Sequence, residues 1–388
     1  MKRLFYTLIL FAHTVCFVFS YDFGVLSYQQ AEAGHSGFSY NPVFVPWYSY
    51  NSEDGLQIYA SMRLSFDINN FDNEMNEISP VFVPEILRFS ASYPYNNILL
   101  EAGRIAYSDI LGFTAAGLFD GLRLETVLGK GIFKANALYT GLLYKETAMI
   151  VMNSADISSY IEPWDFGSFG NYFASKRFLI SLNYNMPVFD YHLLMLESLF
   201  QFDLNGTDEK LHSQYSEVML ELFPLGKAGF IFGTVFQLTD DFNMAAGAIA
   251  RFRMDAPGPL NDGFNIIVKF GSGIWSDSFC AFLPVSSPAQ GVIFPGSISG
   301  LVVFSADYMV RLNRTMYADA AFLYFTRSYN DAYGNFYGGE LQASFAWQPF
   351  EDLRLQIAGA AFFPGLGNAY PDDTGAMWKI VTGFAISF

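Results

Sequence analysis

Along residues 56–68 apolar and polar side chains alternate without a break. Leu56, Ile58, Ala60, Met62, Leu64, Phe66 and Ile68 share one parity, while Gln57, Tyr59, Ser61, Arg63, Ser65 and Asp67 share the other. A strand places successive side chains on opposite faces, so this period predicts a ribbon with one greasy and one wet face. The same split returns at 178–186, 341–347 and 353–363, and helical periodicity organises none of these stretches. Read to the end, the chain predicts strands at about 21–29, 37–49, 55–68, 84–94, 97–107, 119–129, 131–144, 175–187, 189–203, 214–224, 227–238, 242–254, 263–272, 300–312, 315–328, 337–348, 352–363 and 377–388. That is eighteen strands, with sixteen as the alternative because the first is poorly patterned and residues 239–241 form a short turn where a loop is expected. Tight links at 94–97, 129–131, 187–190, 224–227, 312–315 and 349–352 alternate with long ones at 69–83, 108–118, 145–174, 273–299, 329–336 and 364–376. Short turns on one side and long loops on the other describe an outer-membrane barrel. The even count puts both chain ends and the tight turns on its periplasmic side.

Composition decides between that barrel and a soluble sandwich, which also alternates. Charged residues are 15% of the chain and aromatic ones 18%, too little charge to cover a soluble surface of this size. Residues 1–20 carry Lys2 and Arg3, an apolar stretch from Leu4 to Phe19, and small Ser20, the layout of a secretory signal peptide cleaved after Ser20. An uncleaved anchor helix or a lipoprotein at Cys16 are weaker readings, because the run is short for a span and Val15 stands where a small residue is expected. Past residue 20 nothing supplies the ~18 consecutive apolar residues of a spanning helix. A membrane crossing must therefore be made by strands, and only closure removes the unpaired edges of a sheet in lipid. The expected fold class is all-β, a transmembrane antiparallel up-and-down β-barrel in one domain over 21–388.

The last strand, WKIVTGFAISF at 378–388, alternates to the terminal residue. Trp378, Phe384, Ile386 and Phe388 lie on one face in the phase of the terminal assembly signal of outer-membrane barrels, which the barrel-assembly machinery reads by strand addition after periplasmic chaperones deliver the chain. A last strand sealing against the first explains the same pattern. Within the barrel class, LLEAGR at 99–104, FDGLRLE at 119–125 and the segment 337–365 resemble the alginate-export family of eighteen-stranded barrels. That resemblance implies a porin-like architecture; the substrate is not carried over.

Polar faces assigned to the lumen bring twelve bases and ten acids inside. The candidate pore-lining residues are Arg63, Arg88, Arg123, Arg177, Arg251, Arg311, Arg354, Asp67, Glu101, Glu125, Glu197, Glu217, Asp307 and Asp319. Such rows brace the wall and order water, or set a transverse field that selects small polar or ionic solutes. Arg104 falls out of phase with Glu101 unless Gly103 sits in a bulge, which is the expectation. The aromatic loops 145–174 and 273–299 are expected on the rim or in the mouth. Removing Lys2 and Arg3 with the leader leaves 19 bases against 37 acids, a net charge of −18 that argues against nucleic acid. Only Cys280 survives processing, and His35, His192 and His212 lack a partner at metal-ligand spacing, so no cofactor and no metal are expected. No local hydrolase or nucleotide motif appears, and the chain does not read as an enzyme. The expected function is passive diffusion of small hydrophilic solutes through a channel in outer-membrane lipid. The alternatives are a substrate-selective transporter for a polysaccharide or hydrophobic compound, and a non-conducting adhesin or structural barrel.

Overall fold

The computed structural model describes residues 21–388 except 36, 70–80, 163–166, 190–191, 206–209, 224–226, 256–259, 277, 331–333 and 372–373. Residues 1–20, read above as a signal peptide, lie outside the described residues. Eighteen strands form one sheet: β1 (Tyr21–Gly34), β2 (Gly37–Asn51), β3 (Gln57–Asn69), β4 (Val81–Tyr95), β5 (Ile98–Ser108), β6 (Ala116–Leu128), β7 (Gly131–Tyr139), β8 (Arg177–Val188), β9 (His192–Asp203), β10 (Ser213–Leu222), β11 (Ala228–Thr239), β12 (Met244–Asp255), β13 (Asp262–Gly271), β14 (Leu301–Arg311), β15 (Met316–Arg327), β16 (Phe336–Phe350), β17 (Leu353–Phe363) and β18 (Met377–Ser387). Each pairs antiparallel with its neighbours in sequence, as β1 does with β2 and β17 with β18. The ring closes where β18 pairs β1, from Gly34 opposite Lys379 to Leu26 opposite Ser387. Phe388 adds a reciprocal backbone pair with Val25 at 3.0 and 3.1 Å. The fold is the expected up-and-down barrel, and every predicted strand is present.

Alternation sets which face is which. On β8 Arg177, Leu179, Ser181 and Asn183 are buried while Leu182 between them is 43% exposed, so the buried parity faces the interior, where loops can cover it. Outward positions carry large exposed apolar side chains, among them Phe44, Phe66, Leu122, Phe232, Phe304 and Ile357. This band suits hydrocarbon, and among the described residues no helix is long and apolar enough to cross a membrane. On β2 that face includes Pro42 and Pro46, which lack an N–H and drop out of the ladder to β3 while the register on either side stays constant. Residues 240–243 do form a tight link on the long-loop side. It is covered by loop 272–300, whose Cys280 N–H bonds the Met244 carbonyl at 2.8 Å while Met244 N–H bonds Ser278.

Ile266 stands mid-strand on β13, 44% exposed on the outer face, next to inward Asn265. Ile266→Lys should lower the folding free energy in phospholipid vesicles by ~2–4 kcal/mol. Asn265→Lys, opposite Asp307 across the ladder, should leave it nearly unchanged. Urea titrations of both variants check the assignment of faces.

Candidate functional site

The ladder between β4 and β5 runs only from Phe89–Arg104 down to Tyr95–Ile98. That between β6 and β7 stops at Asp120–Tyr139, although β5 and β6 stay paired up to Ser108–Ala116. Residues 105–119 are therefore a hairpin that has left the wall on both sides. Its bend is at Gly103, which faces Gly121 across the hairpin. Gly103 has φ +119°, and a Cβ there would sit 2.0 Å from the Phe89 carbonyl oxygen; one at Gly121 would sit 2.1 Å from that of Ala137. Only glycine tolerates both conditions. The register runs through Gly103 without a shift, so the expected bulge is a bend instead. Arg104 keeps the opposite phase to Glu101 and pairs with Asp120 through two bonds of 2.9 and 2.8 Å. It also donates to the carbonyls of Ile86 and Leu142, so one guanidinium ties β4, the hairpin base and the following loop.

The tip crosses the lumen. Leu111 packs on Gly233 of β11 and Phe113 on Gly247 of β12, and the Tyr107 hydroxyl donates to Glu197 of β9 at 2.5 Å. Loop 272–300 joins it: Val285 N–H bonds Thr114 O at 2.7 Å, Ala116 N–H bonds Ser286 Oγ at 2.7 Å, and Phe282 meets both Phe113 and Tyr215 edge-on. Loop 140–176 fills the wall position the hairpin vacated. The Tyr172 hydroxyl donates to Pro84 O at 2.7 Å, Thr147 donates to Glu85 at 2.6 Å, and Tyr144 and Tyr172 pack with Val83. Both aromatic loops thus pack in and across the barrel, further inward than a rim position.

Buried carboxylates fix these inward segments. Asp109 accepts the N–H groups of Leu111, Gly112, Thr114 and Ala115 at 2.8–3.0 Å. Glu197 accepts Ile110 N–H at 3.0 Å and Ser181 at 2.5 Å besides Tyr107. Glu340 on β16 accepts Val292 at 2.7 Å and Phe294 at 2.9 Å. Arg177, fully buried, bridges Asp203 at 2.8 Å and Asp156 on α1 (Ser154–Ile161). Glu217, 2% exposed, lies against Asp109, Glu197 and Thr114. Arg177 and Glu197 therefore face inward but are anchors beneath loops, and Glu217 is buried beside them; none has surface on an open channel.

The other expected pore residues spread around the wall. Arg123 pairs Glu101 at 3.0 Å and Asn136 at 2.9 Å; Glu125 pairs Lys134 at 2.9 Å; Arg63 stands 3.8 Å from Glu85. Asp307 accepts from Asn265 at 2.7 Å and Asp319 from Ser344. Arg311 is tied to the turn carbonyls of Asn313 and Arg314 and lies over Tyr317, as Arg88 lies over Tyr59. Arg88 and Arg354 are exposed although inward, which marks water on that side of the lumen. Arg251 makes no ion pair among the described residues; its Nε is buried without a partner, and its charge acts on Lys269, which bonds Gln290 at 3.3 Å. The side chain of Asp67 lies outside the described residues. Sequence reasoning missed Asp109, Tyr107 and the lumenal asparagines 136, 183 and 185. Only Asp109 left a signal, an aspartate three residues ahead of a turn glycine.

Two cavities adjoin the inward loops. One of about 920 Å³ opens between loops 140–176 and 272–300, and one of about 200 Å³ lies under the hairpin against β6–β9. Solved structures share this architecture. OccK5 (OpdH) of Pseudomonas aeruginosa superposes with a TM-score of 0.63 at 9% identity, covering 95% of this chain and 98% of that one. OccK2 (OpdF) of the same organism gives 0.63 at 10%, with the same coverage. OpdK of Pseudomonas aeruginosa, solved with vanillate, gives 0.62 at 10%, covering 95% and 99%. The fold is that of outer-membrane porins. No protein-family model matches the sequence, and no curated protein matches it either.

Arg104→Ala leaves Asp120 unpaired; since Asp120 keeps 21% of its side-chain surface, the expected loss is about 1–3 kcal/mol, below the 3–5 of a fully buried pair. Thermal unfolding in detergent and proteolysis at the hairpin tip read it out. Burial pushes the Asp109 carboxyl up to about 6 from 3.8, opposed by its backbone N–H bonds and reinforced by Glu197. A carboxyl raised in the folded state contributes stability that is complete below pH 3.8 and lost as pH rises through about 6. Unfolding midpoints should fall across that window, and Glu217→Gln, which puts an amide donor beside Asp109, should flatten the dependence.

Proposed function

We propose that the chain is an outer-membrane channel through which small hydrophilic solutes diffuse passively, with its bore narrowed by the 105–119 hairpin. The observation that carries this reading is the inner wall. Eighteen strands enclose more room than side chains fill, and inward Arg88, Asp319, Arg354 and Gln356 remain exposed inside the closed ring. The apolar core made by the inward loops draws on strands from β5 to β17 and on Met377 at the start of β18, and among the described residues β1, β2 and β3 supply none of it. That thinly covered side leaves the bore room for water, and there Lys379 pairs Glu32 at 2.7 Å. The likeness to outer-membrane channels supports this through the fold. Twelve inward bases against ten inward acids leave the lumen nearly neutral, which suits small polar solutes better than a polyanion such as alginate.

Residues 1–20 would direct export and be removed. Trp378, Phe384 and Phe388, exposed on the outer face of β18, would serve the barrel-assembly machinery before β18 seals against β1. Purified protein in planar bilayers should give stepwise open channels, and silence would favour the adhesin or structural reading. Arg251→Ala combined with Lys269→Ala removes two neighbouring cations, of which Arg251 has no acid partner among the described residues. It should shift the reversal potential in a KCl gradient toward cations, and an unchanged potential would remove both residues from the conducting path.

A further inference from the structure

Beneath the hairpin, the inner face of β6–β9 holds a row of amides beside charges that are already satisfied. Arg123 and Lys134 are held by Glu101 and Glu125, and Glu197 is filled by Tyr107, Ser181, Ile110 and Asn183. Two acceptors are left over. Asn183 is 7% exposed, and its Nδ2 donates to Glu197 at 3.3 Å, which fixes Oδ1 as the free end; that oxygen and Oδ1 of Asn185 are buried with no partner among the described residues. Both asparagines line the 200 Å³ cavity, roofed by Tyr107 and Ile110. Empty acceptors in a polar, enclosed space call for a molecule that brings donors.

We propose that this cavity is a binding subsite for a neutral hydroxyl-bearing solute of monosaccharide size, held by Asn183 and Asn185 on its way through the channel. The inference rests on the channel reading and adds the substrate class. A hydroxyl donates to each free Oδ1 and accepts in return from the edges of Arg123 and Lys134. An anion is disfavoured, because Glu101, Glu125 and Glu197 surround the site and both bases are spoken for. Water is the competing occupant, about six molecules at ~30 Å³ each.

The test is single-channel recording of the full mature protein in planar bilayers with millimolar glucose, or with glucuronate as its anionic counterpart. Glucose should interrupt the current for measurable times, and glucuronate for shorter ones. Asn183→Leu with Asn185→Leu should cut the glucose residence time at least tenfold with conductance retained. Asn185→Ala alone, which removes an oxygen that bonds nothing, gives a smaller loss should the double variant fail to fold. An intact conductance with no glucose interruptions, or with interruptions as long in the variants, shows a water-filled pocket only and overturns the proposal. Longer glucuronate events overturn it in favour of an anion site. Absence of any channel refutes the channel reading itself, and this subsite with it.

Discussion

A backbone amide that leaves a β-ladder inside a membrane barrel must find another acceptor, because an unpaired group there costs several kcal/mol. That constraint organises the lumen of this protein. Where residues 105–119 peel from the wall, Asp109 collects four N–H groups, and Glu197 takes a fifth. Where loop 272–300 turns inward, Glu340 receives the amides of Val292 and Phe294. Carboxylates suit the task, since each offers about four lone-pair positions and a charge-assisted bond is stronger than a neutral one. Acidic residues in this lumen are thus divided between holding backbone and facing water.

The division is spatial. Anchors lie where loops and wall build a continuous apolar core, with Phe113, Phe119, Phe282 and Phe325 almost fully buried. Charges that keep water lie toward the thinly covered side; Lys379 and Glu32 cancel there at short range as a cross-strand pair, while Arg88 and Arg354 make no ion pair among the described residues. Arg251 and Lys269 add two neighbouring cations without an acid partner among the described residues, so field lines across the bore start at such unpaired bases.

The wall was legible in the sequence because a barrel one sheet thick has no alternative use for period two: lipid outside and water inside impose it on every strand. The strand count, the closing pair and the inner charges follow from that single rule. The hairpin was half legible. Glu101, Gly103 and Arg104 stood out because they could not all obey the alternation, yet the pattern reports only that it is interrupted. Whether the chain bulges or bends depends on the partner strands, and the clash a Cβ would meet at Phe89 is invisible locally. Arg177, Glu197 and Glu217 show the other limit. An inward charge reads the same whether it meets water or a folded loop, and only the path of loops 140–176 and 272–300 decides between them.

Between the upper halves of β4 and β7 the cylinder is bridged by side chains, chiefly Arg104, Thr147 and Tyr172, where everywhere else it is knit by main-chain ladders. Side-chain stitches rupture one at a time, whereas ladders rupture as cooperative rows. Under tension or heat this stretch is the zip fastener of the molecule, the point from which the staves would part.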